Sequence, residues 1–160
     1  MKCIVMSDSH GAYMNIQAVL ASHRDCDVVF FLGDGCCELE SVSHDFPEKM
    51  FIAVRGNCDV TMVFRNSMLQ KTEEISLMGH KILLTHGDLF GAKSGTYALS
   101  ALSASRGADV ILFGHTHVPC DKYVGGEHPH YLFNPGSIRD GSFGILTLDD
   151  GVGFSVLRLL

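Results

Sequence analysis

Residues 27–35 read DVVFFLGDG. Five apolar residues, Val28 to Leu32, run together without alternation and stop at Gly33-Asp34-Gly35. A strand with one wet face alternates polar and apolar residues, whereas a strand covered on both faces does not. The stretch therefore predicts a buried strand in a parallel sheet covered by helices. The same grammar recurs at 2–7 (KCIVMS), 50–54 (MFIAV) and 109–113 (DVILF). Between the first of these runs, 12–23 carries apolar residues at 13, 16, 19 and 20, a helical spacing, and a short helix is predicted at 36–45. The first half thus reads βαβαβ.

The second half is richer in strands. Segments 67–77 and 80–85 predict a hairpin around Met78-Gly79-His80, and 94–106 predicts a helix. Segments 121–125, 130–133, 142–148 and 152–159 predict a β-meander with Asp150-Gly151 as a tight turn. The sum is an α/β fold with two sheets face to face and helices outside.

The 160 residues, with 46% apolar and 19% charged, describe a globular chain, neither disordered nor fibrous. They read as one domain, 1–160, with no repeat or linker. A net charge of −6 disfavours long nucleic acid, which needs a basic face. No apolar run reaches the ~20 residues of a membrane span. The start, MKCIVMSDSHG, does not fit a signal peptide, so the six cysteines are expected as reduced thiols in a cytoplasmic protein.

The turns at the strand ends carry the chemistry. Ser7-Asp8-Ser9-His10-Gly11 comes after the first strand, and Gly33-Asp34-Gly35 after the second. Arg55-Gly56-Asn57-Cys58-Asp59, Thr85-His86-Gly87-Asp88 and Gly114-His115-Thr116-His117 end later ones. In open α/β sheets, sites are built at the carboxyl ends of strands. Any one such turn is ordinary, since Asp and Asn favour turns. Five in succession point to a metal site. The donors are Asp8, His10, Asp34, Asn57, His86, His115 and His117, three oxygen residues and four imidazoles. One ion cannot use seven side chains, but two ions sharing a carboxylate can. Mixed imidazole and oxygen donors without thiolate suit Mn, Fe, Zn, Ni or Co better than Ca or Mg, and argue against a closed structural zinc site.

The ordered set DSHG, GDG, GNCD, THGD and GHTH, with Asn134-Pro135-Gly136-Ser137 beyond it, resembles the calcineurin-like metallophosphoesterase superfamily. The short length and the GNCD form are similar to its small prokaryotic phosphodiesterase branch, a relative of the eukaryotic retromer scaffold subunit. The resemblance implies a four-layer αββα sandwich of two mixed sheets. It implies two divalent transition-metal ions, Mn first, and hydrolysis of a small phosphodiester by a bridging hydroxide attacking in line. Carried over by position, Asp8, His10 and His117 would hold one ion, Asn57, His86 and His115 the other, and Asp34 would bridge. Asp34, Asn57 and His115 are the ligands expected to be catalytic.

One position departs from the wider superfamily. Where many members have Gly-Asn-His-Asp or Gly-Asn-His-Glu, this chain has Cys58, a weak hydrogen-bond donor beside imidazolium. Asp59, which would orient that histidine, is expected to lack its partner. Cys58 and Arg55 are the candidate substrate contacts. Two further readings stand beside the phosphodiesterase: a phosphomonoesterase on the same fold, and a catalytically weak protein-binding scaffold. The terminal segment 151–160, GVGFSVLRLL, is a candidate edge for a homo-oligomer.

Overall fold

The computed structural model describes residues 1–59 and 63–159. Lys2–Met6 forms β1, Tyr13–Ser22 α1, Val28–Phe31 β2, Cys36–Ser43 α2 and Met50–Ala53 β3. Two short strands come next, Val63–Phe64 (β4) and Ser67–Met68 (β5), then Thr72–Leu77 (β6) and His80–Thr85 (β7). Tyr97–Arg106 is α3 and Val110–Leu112 is β8. Cys120–Val124, His130–Asn134, Ser142–Leu148 and Val152–Arg158 are β9 to β12. Leu160, the last residue of the candidate edge segment, lies outside the described residues.

The first sheet has the order β12-β11-β1-β2-β3, and the second β6-β7-β8-β10-β9. In the first, β1, β2 and β3 run parallel, with β11 antiparallel to β1. In the second, β7, β8 and β10 run parallel, with β6 and β9 antiparallel at its edges. Both sheets are mixed, each built on three parallel strands.

Three apolar layers glue four layers of structure. Ile16, Val19 and Leu20 of α1 and Leu39 and Val42 of α2 pack on Ile4, Met6, Val29 and Phe31 of the first sheet. The opposite faces of the same strands, Cys3, Val5, Val28 and Phe30, meet Ile82, Leu84, Val110, Leu112 and Phe133 of the second sheet. Leu99 of α3 covers Leu83, Ile111 and Leu132 on the far side. Alternate residues of one strand thus enter different cores, both dry, which is why the runs do not alternate in polarity. The architecture is the expected αββα sandwich.

Two details differ from the sequence reading. Segment 67–77 is not one strand. Its first two residues pair with β4 in a separate ribbon, closed by Arg65 and Asn66 at φ 46° and 66°. Positive φ at both central residues is the hairpin turn that matches strand twist. The final four strands also do not form one meander. β9 and β10 belong to the second sheet, β11 and β12 to the first. The chain changes sheets at 135–141, where Pro135 lacks an N–H and Gly136 sits at φ 80°. The Ile138 and Arg139 amides then donate to the Ser7 and Asp8 carbonyls at the end of β1 (2.9 and 3.3 Å), which carries the chain onto β1. Alternation marks a strand but does not name its partner.

Gly144 of β11 sits under the Phe133 ring, where a Cβ would overlap ring carbons, and Phe133 stacks on Phe154 at 4.4 Å between centroids. Both sheets close on this contact. Gly144→Ala should therefore destabilise the fold by about 1–3 kcal/mol through overpacking, read as a lower urea midpoint. Phe133→Leu in the same chain should recover part of the loss.

Candidate metal centre

The turns that end the parallel strands of both sheets meet at one seam. The Asp8 N–H donates to the Gly33 carbonyl (2.9 Å), and the Ser9 and His10 amides donate to the Asp34 carbonyl (2.9 and 3.2 Å). The Gly114 N–H donates to the His86 carbonyl (3.0 Å). Asp8, His10, Asp34, His115 and His117 all have φ between 40° and 66°. Left-handed backbone costs an L-residue about 1–2 kcal/mol. Its concentration here is the kind of strain that packing holds at working sites. Two glycines make room. A Cβ on Gly56 would strike Asp34 Oδ1, and one on Gly114 would strike Ser7 Oγ.

Six of the seven predicted donors converge. Asp8 is buried, and its Oδ2 accepts the His115 N–H at 3.0 Å. Its Oδ1 accepts no hydrogen bond among the described residues. That oxygen instead faces Nε2 of His117, His10 and His86 at 3.2, 3.8 and 3.9 Å. Asp34 Oδ2 lies 3.3 Å from His86 Nε2 and 4.0 Å from His10 Nε2, between the two groups. His115 Nδ1 is 3.2 Å from His86 Nε2, and His10 Nε2 is 3.2 Å from His117 Nε2. Donors bound to one transition-metal ion at ~2.0–2.2 Å stand about 3–3.5 Å apart, so this spacing suits shared cations. An orphaned buried carboxylate oxygen ringed by imidazoles is costly without one. The residues fit divalent metal.

The supporting hydrogen bonds orient the donors. His86 Nδ1 donates to the Leu32 carbonyl at 2.7 Å, which leaves Nε2 to face the carboxylates. Without a cation, burial lowers the His86 pKa, but the Asp34 hydrogen bond and the Asp8 charge outweigh it and push it up. Burial opposes ionisation of Asp34, yet His86 and the Cys58 N–H hold it well below the usual carboxylate range. Asn134 Nδ2 donates to the Gly114 carbonyl (2.9 Å) and Thr116 Oγ1 (3.0 Å), pinning the turn between His115 and His117. The Leu32 carbonyl leaves no trace in residue identity, because every residue has one.

The remaining predicted residues lie around this centre. Asn57 is exposed, and its Nδ2 donates to Cys58 Sγ at 3.4 Å. The Cys58 N–H donates to Asp34 Oδ1 at 2.8 Å, and its thiol lies close to His10 and Asp34. Cys58 lines a cleft of about 220 Å³ with His10, Asp34, Cys37, Glu38 and Asp59. Arg55 is half-buried, its N–H donating to the Gln70 carbonyl at 2.9 Å, and it is not part of that lining.

Asp59 is the residue whose role the sequence reading missed. It has no histidine to orient, since Cys58 stands there, but its buried carboxylate accepts four backbone amides: Asp34 (2.7 Å), Gly56 (2.9 Å), Gly35 and Cys36 (both 3.1 Å). Cys36 Sγ also donates to it at 3.1 Å. Asp59 thus clamps the turn that carries Asp34 to the start of α2. Burial raises its pKa, but the Gly56 and Cys36 amides prevail and hold it below normal. Its stabilising contribution is present above the unfolded value of about 3.9 and is lost as pH falls through the lower folded value. Asp59→Asn should cost at least about 3 kcal/mol at pH 7, because a donor amide would face donors. The gap to wild type should close below about pH 4. Urea unfolding at both pH values checks this.

Comparison with known proteins places this geometry. Residues 1–151 match the model of the calcineurin-like phosphoesterase superfamily domain. The chain is 34% identical over 157 residues to the probable metallophosphoesterase YsnB of Bacillus subtilis (strain 168), covering 94% of this chain and 86% of that protein. It is 36% identical over 107 residues to the phosphodiesterase YfcE of Escherichia coli (strain K12), covering 61% of this chain and 53% of that protein. A crystal structure of a conserved phosphoesterase-like protein from Streptococcus pneumoniae TIGR4 superposes with a TM-score of 0.78 at 28% identity, over 98% of this chain and 88% of that one. The chain belongs to the calcineurin-like phosphoesterase superfamily, as the buried carboxylates and converging imidazoles at its strand ends lead one to expect.

Proposed function

We propose that the chain, as one domain, is a metal-dependent phosphodiesterase with a two-cation centre. The observation that carries this reading is the buried Asp8 Oδ1, which accepts no hydrogen bond among the described residues and faces three imidazole nitrogens at 3.2–3.9 Å. Asp8, His10 and His117 would hold one ion, and Asn57, His86 and His115 the other. Asp34, with Oδ2 between the two groups, would serve both. Manganese is the favoured ion for this donor set, with Fe, Zn, Ni or Co as alternatives.

When bound, a divalent pair supplies Lewis-acid charge for phosphoryl oxygens and acidifies a water toward neutral pH. The protein's share is placement. The Cys58 N–H holds Asp34 Oδ1, which leaves Oδ2 for the cations. The Leu32 carbonyl fixes the His86 ring. The His115 amide fixes the Asp8 carboxylate. These groups are locked by backbone rather than by mobile side chains, so little reorganisation accompanies reaction.

The acid side of the reaction is weak. Cys58 holds its thiol close to Asp34 and His10 in the cleft, and a neutral thiol donates poorly. Substrates must then leave as stable anions, which favours diesters with good leaving groups over alkyl monoesters.

Two experiments test the reading. Metal-stripped protein should not hydrolyse bis(p-nitrophenyl) phosphate, and added Mn²⁺ should restore turnover. Asp34→Asn should lower kcat by at least about 100-fold. Full activity in the stripped protein or in that variant would refute the reading, and side-by-side monoester assays would identify a phosphomonoesterase. Folded, metal-bound, inactive protein would favour the scaffold role. Separately, Cys58→His should raise turnover of poor leaving groups about 10-fold or more relative to good ones. An equal effect on both classes would sink the weak-acid argument.

A further inference from the structure

A second cavity, of about 480 Å³, borders the turn that carries His115 and His117. Its size falls in the ~300–1,000 Å³ range of small-molecule sites. Its walls belong to the same turns that carry the donors. Thr116 stands between His115 and His117, and Phe113 precedes Gly114 at the end of the same strand. Ala92, also in the wall, packs beside Gly87, the residue after His86. Lys93 lines the cavity.

The two cavities differ in character. The smaller cleft is lined by three carboxylates, Asp34, Glu38 and Asp59. The larger one has Phe113, Val118 and Pro119 as apolar wall, with Lys93 as its charged residue. Lys122 adds a second ammonium at its rim, donating to Thr96 Oγ1 at 3.4 Å. In a chain with net charge −6, two lysines facing an apolar cavity are a local exception. A phosphodiester has two ester arms, and the larger cavity adjoins the turn that carries His115 and His117 through Thr116.

Resting on the phosphodiesterase reading above, we propose that the larger cavity is a specificity subsite for one ester arm. That arm has a flat apolar body packed against Val118 and Pro119, and an anionic group facing Lys93, with Lys122 at the rim. The substrate class is a phosphodiester with one aromatic anionic arm.

The test uses Mn²⁺-loaded protein and three substrates: phenyl methyl, 2-naphthyl methyl and 6-sulfonato-2-naphthyl methyl phosphate. Released naphthol is read by fluorescence, without tryptophan background because the chain has none. KM should fall from phenyl to naphthyl, and about 5- to 10-fold further with the sulfonate, a gain that salt should erode. Lys93→Ala and Lys93→Glu should remove the sulfonate gain, and Val118→Asp should remove the naphthyl gain. Lys93 and Val118 are both exposed, so these variants should fold. Equal KM values for all three substrates, or gains untouched by these variants, would overturn the subsite while leaving the hydrolase intact. If no diester is hydrolysed, the phosphodiesterase reading fails, and the subsite is then decided by fluorescence titration of 6-sulfonato-2-naphthyl phosphate. Tighter binding to wild type than to Lys93→Glu would retain it; equal binding would overturn it.

Discussion

The Asp8 carboxylate is the point on which the two halves of the molecule depend. It ends the central strand of one sheet, yet its Oδ2 accepts the His115 N–H from the other sheet and its Oδ1 faces imidazoles from both. A buried carboxylate that uses only one oxygen for hydrogen bonds is expensive. The fold tolerates it because the same atoms form a cradle for positive charge. Metal bound at this carboxylate, as proposed, would be coupled to closure of the seam between the sheets, since one group would serve both.

Around that carboxylate, rigidity is supplied by backbone. Asp59 gathers four amides, His86 leans on the Leu32 carbonyl, and Asn134 pins the turn between His115 and His117. Five donor residues are held at positive φ. Strain of this kind persists only where the surroundings over-determine it. The dry cores on both faces of each sheet provide that rigidity, because close-packed interiors do not yield to small forces.

The charge pattern answers the same constraint. An acidic chain that handles phosphate must offset its own field locally. Here the offset would come from the metal proposed at the carboxylate seam, while Lys93 and Lys122 stand beside the larger cavity. The smaller cleft, lined by Asp34, Glu38 and Asp59, has no lysine or arginine in its lining, which gives the site two unlike sides.

The sequence by itself indicated two sheets with helices outside and named the candidate donors. Unbroken apolar runs such as Val28–Leu32 point to strands covered on both faces, and Asp and His after glycine-bearing strand ends mark where chemistry collects. It did not determine that β10 and β11 lie in different sheets, because alternation is a property of one strand and pairing a property of two. Nor did it reveal Asp59 as a clamp, since the amides that it binds come from residues up to 25 positions away. The second cavity was likewise invisible, because residues from the 92–96 and 113–120 segments become neighbours only when the turns fold together. Local chemistry is written in residue identity and spacing; which atoms share a space was decided by packing.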